Sequence, residues 1–158
     1  MLIVYYSISN GNTKAIAKKL QDVTGADISA IDTIVKYSDN YDDVVSQGQK
    51  EVNEGFEPEL KDLDFNVDNY DVLAIGTPTW WYTMAPAVLT FLHQCNFNGK
   101  IVIPFATHGG WPGHVLEDIE KACRGAEIKE SFDIYVDVDT NFDESKVDKW
   151  VDNVKSIL

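Results

Sequence analysis

The chain has 158 residues, an apolar content of 44 % and a formal net charge of −13. This length suits one domain over residues 1–158 with a substantial core, and the apolar content excludes bulk disorder. The negative charge predicts repulsion from nucleic acid and from anionic membrane, and it favours a basic protein partner.

The chain opens with MLIVYY, which lacks a basic segment, and no apolar run is long enough to span a bilayer. We therefore expect a cytoplasmic protein. Cys95 and Cys123 lie far apart without a metal-ligand spacing, so we expect two buried free thiols, which suit a reducing compartment.

Apolar runs and helical patterns alternate along the chain. The predicted strands are residues 2–6, 26–31, 70–76, 100–106 and 132–136. The predicted helices are residues 14–23, 86–92, 115–123 and 143–157. Residues 37–64 are polar and acidic, with weak periodicity, and predict a loop plus a short helix. This alternation favours an α/β fold with a parallel sheet between two helical layers.

Three loops that follow predicted strands have an unusual composition: SISNGNT (7–13), TPTWWYT (77–83) and THGGWPGH (107–114). Ligands of such sheets bind outside the carboxyl ends of the strands, where these loops lie. The three loops are therefore the candidate functional segments.

The first loop carries hydroxyl and amide side chains around Gly11 and opens directly into a predicted helix. A helix N-terminus offers unpaired N–H groups and partial positive charge, which suit a phosphate. The alternative is a plain turn, in which Asn12 or Thr13 caps the helix. The patterns GxxxxGK(S/T) and GxGxxG are absent from this loop, which argues against a nucleoside triphosphate and a nicotinamide dinucleotide there.

The second and third loops are rich in aromatic residues and glycine. Trp80, Trp81 and Tyr82 could stack on a flat ring, and Gly109 and Gly110 let backbone approach a planar ligand. A phosphate loop beside two ring-binding loops describes a phosphorylated, ring-bearing cofactor, and flavin mononucleotide (FMN) fits this description.

The segments YYSISNGNT, YDVLAIGTPTWWYTMAP and IVIPFATHGG occur in this order. They resemble the flavodoxin superfamily, most of all its short flavodoxin-like branch, in motifs of the form YxSxxGNT, YDV with GxPxWW, and THGG. The resemblance covers most of the chain and is weakest over residues 32–66. It implies a three-layer α/β/α sandwich around a five-stranded parallel sheet in the order 2-1-3-4-5, with FMN bound.

The resemblance also implies a set of cofactor-binding residues. The phosphate would be held by the first loop, at Ser7, Ser9, Asn10, Gly11, Asn12 and Thr13. The ring would be lined from one side by Pro78, Thr79, Trp80, Trp81 and Tyr82, and from the other by Thr107, His108, Gly109 and Gly110.

Two departures from the family pattern stand out. The first loop is one residue longer, because Asn10 precedes Gly11, and we expect Asn10 to donate to the phosphate. The loop around Tyr82 lacks the glycine common there, so a peptide rotation in that loop would be costly.

Three functions remain open from the sequence. The first is an electron carrier that docks with a basic redox partner, and the second is an FMN-dependent oxidoreductase acting on NAD(P)H and a quinone. The third is a non-redox binding module on the same scaffold. His108 could donate a proton or hydrogen bond to the ring. We expect no metal site, because the aspartate-rich segment 137–148 lacks the glycine and the final glutamate of a calcium loop.

Overall fold

A computed structural model describes residues 1–158. Five helices are present: α1 (Asn12–Thr24), α2 (Tyr41–Glu54), α3 (Pro86–Gln94), α4 (Val115–Ala122) and α5 (Glu144–Ser156). Seven strands are present: β1 (Leu2–Tyr5), β2 (Asp27–Ala30), β3 (Val72–Trp80), β4 (Thr83–Met84), β5 (Ile101–His108), β6 (Glu127–Ile128) and β7 (Phe132–Tyr135).

The parallel sheet has the strand order β2-β1-β3-β5, and β6 and β7 both pair with the outer side of β5. The predicted α/β class and strand order are therefore confirmed. The predicted fifth strand is divided, since β6 pairs with the start of β5 and β7 pairs with its end. Strand β4 adds a short antiparallel hairpin to β3, which raises the strand count from the predicted five to seven.

Two apolar cores lie on opposite faces of the sheet. Helices α1 and α5 cover one face, where Ile16, Leu20 and Trp150 pack against Ile3 and Phe105. Helices α3 and α4 cover the other face through residues such as Val88, Leu92 and Ile119. Strands β1 and β3 run between these layers, which explains why their apolar runs are continuous rather than alternating.

Gly76 and Phe105 show how tightly the centre of the sheet is packed. They are paired neighbours on β3 and β5, and a Cβ on Gly76 would lie 2.2 Å from the Phe105 ring. That ring in turn packs against Trp150 at a centroid distance of 5.4 Å. A glycine is needed here for close approach rather than for a turn.

Helix α2 is the helix predicted within residues 37–64, and it is longer than the short helix that the sequence suggested. It has 14 residues and is capped by Asn40, whose side chain accepts a hydrogen bond from the Asp43 N–H. The helix buries Val44 and Gly48 at a spacing of one turn, and Gly48 packs against Trp80 at the end of β3. No helix of the protein combines the length and apolarity needed to cross a membrane.

Candidate functional site

The first loop leaves β1 and enters α1 through a tight turn. Ser9 has a φ of +58° and Gly11 a φ of +73°, and Gly11 is the residue that caps α1. The cap makes no side-chain hydrogen bond, so neither Asn12 nor Thr13 caps the helix as the alternative prediction required. Instead, the Ser7 hydroxyl accepts a hydrogen bond from the Lys14 N–H at 3.2 Å.

Several backbone donors of this loop have no acceptor within the chain. The N–H groups of Asn10, Asn12 and Thr13 make no hydrogen bond to backbone or side chain. The first turn of α1 contains no acidic residue, whereas the first turns of α2, α4 and α5 each contain one or two. Free donors at a helix N-terminus without a nearby carboxylate form an arrangement that attracts an anion.

Thr13 faces a different neighbour from the rest of the loop. Its side chain is buried, and its hydroxyl lies 2.9 Å from the hydroxyl of Thr107, which is also buried. This contact joins the start of α1 to the end of β5. The Thr13 hydroxyl therefore connects two walls of the site, while its backbone N–H remains free.

The second loop is a β-hairpin, so its prediction as a loop was wrong. Strand β3 continues to Trp80, the residues Trp81 and Tyr82 form a two-residue turn, and β4 returns from Thr83. Trp81 has a φ of +48° and Tyr82 a φ of +70°. Both turn residues thus adopt the left-handed conformation of a type I′ hairpin, which asparagine and glycine usually occupy. For residues with a side chain this conformation costs about 1–2 kcal/mol each.

Thr79 presents an unusual polar atom at this hairpin. Its Oγ1 is buried and is the only buried side-chain nitrogen or oxygen in the protein without a hydrogen-bond partner. Leaving such a hydroxyl unpaired costs about 1–3 kcal/mol. An unpaired hydroxyl lining a cleft is a feature that a polar ligand atom would satisfy.

Trp80 is packed inward, unlike Trp81 and Tyr82. Its ring makes edge-to-face contacts with Tyr6 at 5.8 Å and with Tyr37 at 5.4 Å between centroids. A Cβ on Gly48 would lie 3.1 Å from the same ring, so α2 packs directly on Trp80. Trp81 and Tyr82 are instead 40 % and 57 % exposed.

The third loop begins on β5, which extends to His108. The Gly110 N–H donates to His108 Nδ1 at 3.2 Å, so the ring proton lies on Nε2, which is 3.1 Å from Asp133 Oδ1. Both ring nitrogens of His108 are therefore engaged within the protein. A role for His108 as donor to a ligand, as the sequence suggested, would require one of these contacts to break.

The three loops surround one cleft of about 790 Å³ at the carboxyl edge of the sheet. This volume lies within the range of small-molecule and cofactor sites. Eleven of the predicted residues line it: Ser9, Asn10, Asn12, Pro78, Thr79, Trp80, Trp81, Tyr82, Thr107, His108 and Gly109. Four predicted residues lie outside its lining: Ser7, Gly11, Thr13 and Gly110.

Comparisons with known proteins identify the family. The family model described as flavodoxin matches residues 1–154. The chain belongs to the flavodoxin family. Flavodoxin 1 of Salmonella typhimurium is 30 % identical over 106 residues, which are 65 % of this chain but 46 % of that protein, and flavodoxin 1 of Escherichia coli K12 is 28 % identical over the same length. The match thus spans about half the length of these curated flavodoxins.

Solved structures resemble the whole chain more fully. A candidate flavoprotein from Bacteroides eggerthii is 28 % identical, with a TM-score of 0.78 over 97 % of this chain and 96 % of that one. A flavoprotein from Lactobacillus acidophilus, solved in complex with FMN, is 24 % identical, with a TM-score of 0.72 over 94 % of this chain and 96 % of that one. The latter likeness supports the flavodoxin-like fold.

Sequence reasoning missed the contribution of α2 to this flavodoxin cleft. Tyr41, Val44, Val45 and Gly48 line the cleft from one side. The signal was present, because an asparagine cap followed by acidic residues in the first turn predicts a helix start. The cleft is also lined by Ile8, by Trp111, and by residues 135–138, which comprise the last residue of β7 and the three residues after it.

Proposed function

We propose that this flavodoxin binds FMN in the cleft and transfers electrons through it to a partner protein. The observation that carries the proposal is that free N–H donors and an aromatic wall share one cleft. We assign FMN rather than a flavin without a phosphate, because the free N–H donors suit the phosphate. A structural relative from Lactobacillus acidophilus binds FMN, which supports this assignment.

The residues of the cleft fit the two halves of this cofactor. The N–H groups of Asn10, Asn12 and Thr13 would hold the phosphate, with the Ser9 hydroxyl beside them. The unpaired Thr79 hydroxyl supplies a polar contact inside the cleft for the ring or its side chain. Gly109 lines the cleft without a side chain, which leaves its backbone open to a ligand.

The walls of the cleft orient the ring and restrict its solvent access. Trp81 and Tyr82 would form one wall, to which Trp111 adds through an edge-to-face contact with Tyr82 at 6.5 Å between ring centroids, and Gly109 would approach the ring from the end of β5. FMN supplies the redox chemistry, while the protein contributes binding, orientation and the electrostatic environment. The exposed rim gives electrons a short path to a docked partner.

The surface charge favours a basic redox partner in the cytoplasm. The chain carries 26 acidic and 13 basic residues, so long-range attraction selects partners of positive charge. We expect electron transfer to such a partner to slow as ionic strength rises.

A comparison of FMN with riboflavin tests whether the cleft recognises the phosphate or only the flavin ring. The purified protein should be yellow and release FMN on denaturation, and the apoprotein should rebind FMN. Riboflavin, which lacks the phosphate, should bind about 100-fold more weakly, because it forgoes several charge-assisted hydrogen bonds. Equal affinity for both flavins would contradict the phosphate assignment. Binding of neither flavin would support the non-redox scaffold instead.

An FMN-dependent NAD(P)H:quinone oxidoreductase is the second candidate. The observation in its favour is the exposed aromatic rim, where Tyr82 and Trp111 are 57 % and 72 % exposed and could contact a second planar ring. Anaerobic rapid mixing with NADH or NADPH separates the candidates. Fast bleaching of the flavin without any partner protein would support the oxidoreductase, and unchanged absorbance would support the carrier.

A further inference from the structure

The Trp81–Tyr82 turn is held from outside by the segment that leads into α4. The His114 N–H donates to the Tyr82 carbonyl at 2.8 Å. Gly113 lies so close to Tyr82 that an added Cβ would be 2.2 Å from its carbonyl oxygen and 2.4 Å from its Cα. The backbone of the turn is therefore fixed by direct contact with a neighbouring segment.

Asp118 extends this contact to the residue after the turn. Its Oδ2 accepts a hydrogen bond from the Thr83 hydroxyl at 2.7 Å and also contacts His114 Nδ1. One carboxylate on α4 thus joins β4 to the start of its own helix. We call Gly113, His114 and Asp118 the turn clamp.

The amino-acid types in the hairpin turn do not explain its backbone conformation. Trp81 and Tyr82 both have positive φ, which is strained for residues of their size, and neither is the asparagine or glycine that favours this turn. Such strain persists only where surrounding structure determines it. The contacts of the turn clamp fall on Tyr82 and on the adjacent Thr83.

We propose that Asp118 is a positioning residue which, through the turn clamp, holds the strained Trp81–Tyr82 turn in place before any ligand binds. The aromatic wall of the cleft is then preformed in the apoprotein. A ligand that needs this wall binds more tightly, because it does not have to order the turn itself. The effect on FMN affinity rests on the proposed function, whereas the effect on the apoprotein does not.

Amide hydrogen exchange of the apoprotein, followed by NMR, tests the clamp without any ligand. Asp118→Ala should speed exchange at the His114 N–H by about tenfold, because the acceptor at Tyr82 moves away more often. Thr83→Val should act in the same direction, and Thr83→Ser, which keeps the hydroxyl, should restore protection. Amides of β1 should exchange as in the wild type, which shows that the variants fold. Unchanged exchange at His114 in Asp118→Ala would overturn the proposal.

FMN titration of the same variants tests the consequence for binding. Asp118→Ala should weaken FMN binding by about tenfold. Asp148→Ala is the matched control, because it removes an exposed carboxylate on α5 that pairs with Lys19, and it should leave affinity unchanged.

A double-mutant cycle that combines Asp118→Ala with Tyr82→Gly tests whether Asp118 affects FMN binding by holding the strained Tyr82 backbone. Glycine adopts positive φ without strain, so the turn no longer needs the clamp. In the Tyr82→Gly background, Asp118→Ala should weaken FMN binding by less than about threefold. An equal tenfold loss in both backgrounds would overturn the role assigned to strain. If the wild type binds no FMN, the proposed function fails, and hydrogen exchange alone decides whether the clamp exists.

Discussion

The two edges of the sheet differ in which residue types adopt a left-handed backbone conformation. At the amino edge, where a helix or turn leads into β2, β3, β5 or β6, the residues with positive φ are glycines: Gly25, Gly55, Gly99 and Gly125. Glu130, with a φ of +47°, lies between β6 and β7, inside the divided fifth strand. At the carboxyl edge, residues with side chains adopt it as well: Ser9, Trp81, Tyr82 and Thr140. The amino edge uses the least strained residue because it only turns the chain, whereas three of the four strained residues at the carboxyl edge, Ser9, Trp81 and Tyr82, line the cleft.

The largest expected effect comes from comparing two glycine-to-alanine substitutions, one at each edge of the sheet. Gly113→Ala should lower the free energy of unfolding by about 3 kcal/mol, because its Cβ would overlap the Tyr82 backbone and its φ is +61°. Gly25→Ala should cost about 1 kcal/mol, because it has a φ of +68° but no atom within 4 Å of the added Cβ. Urea unfolding of the apoproteins measures both. Equal costs would show that crowding against Tyr82 does not matter.

The unpaired hydroxyl of Thr79 should lower the apoprotein's free energy of unfolding but strengthen its binding of FMN. Thr79→Val should raise the apoprotein's free energy of unfolding by about 1–2 kcal/mol, because it removes a buried hydroxyl without a partner. The same variant should bind FMN about tenfold more weakly. Thr77→Val is the control of opposite sign, since the Thr77 hydroxyl accepts from the Ala85 N–H and donates to the Pro78 carbonyl. A loss of stability in Thr79→Val would contradict this view of the cleft.

Glycine substitutions at two residues with positive φ should separate strain at a cleft residue from strain at a residue outside the cleft. Ser9→Gly and Thr140→Gly should each raise the free energy of unfolding by about 0.5 kcal/mol, because positive φ no longer strains the backbone. Only Ser9→Gly should weaken FMN binding, since Ser9 lines the cleft and Thr140 does not. Calorimetry of the apoproteins and FMN titration measure the two effects. A matching loss of affinity in Thr140→Gly would refute the distinction.

The smallest expected effect is a dependence of the turn clamp on pH. Burial raises the pKa of Asp118, but hydrogen bonds from Thr83 and His114 outweigh burial and lower it below its ordinary value of 3.8. The charged carboxylate therefore stabilises the fold above that ordinary value, and this contribution is lost as pH falls through the lowered pKa. The difference in unfolding free energy between wild type and Asp118→Asn should shrink as the pH falls below the ordinary value of 3.8. A difference that grows toward acid would contradict the lowered pKa.

The sequence predicted the layers and strand order because buried parallel strands are continuous apolar runs. It failed at the Trp81–Tyr82 hairpin, because its residues carry none of the usual signals for a two-residue turn and the clamp that holds it lies about 30 residues away. The divided fifth strand was also missed. Both short strands pair with β5, and only that pairing defines where each begins.

The cleft was predictable in outline, because loops after parallel strands meet at one edge. The direction of individual side chains was not predictable. Thr13 points to Thr107 and Trp80 packs under α2, and both depend on contacts between distant segments. The wall from α2 was missed because its apolar residues are few and are separated by longer polar stretches.

The absence of carboxylates from the first turn of α1 has a consequence for the kinetics of binding. A doubly charged phosphate approaching a chain of net charge −13 is repelled at long range, and only at contact does it meet the free N–H donors. Added salt screens the long-range repulsion but barely alters hydrogen bonds made at contact. FMN should therefore associate faster at higher ionic strength while its dissociation rate stays nearly constant, the opposite of what steering by attraction produces.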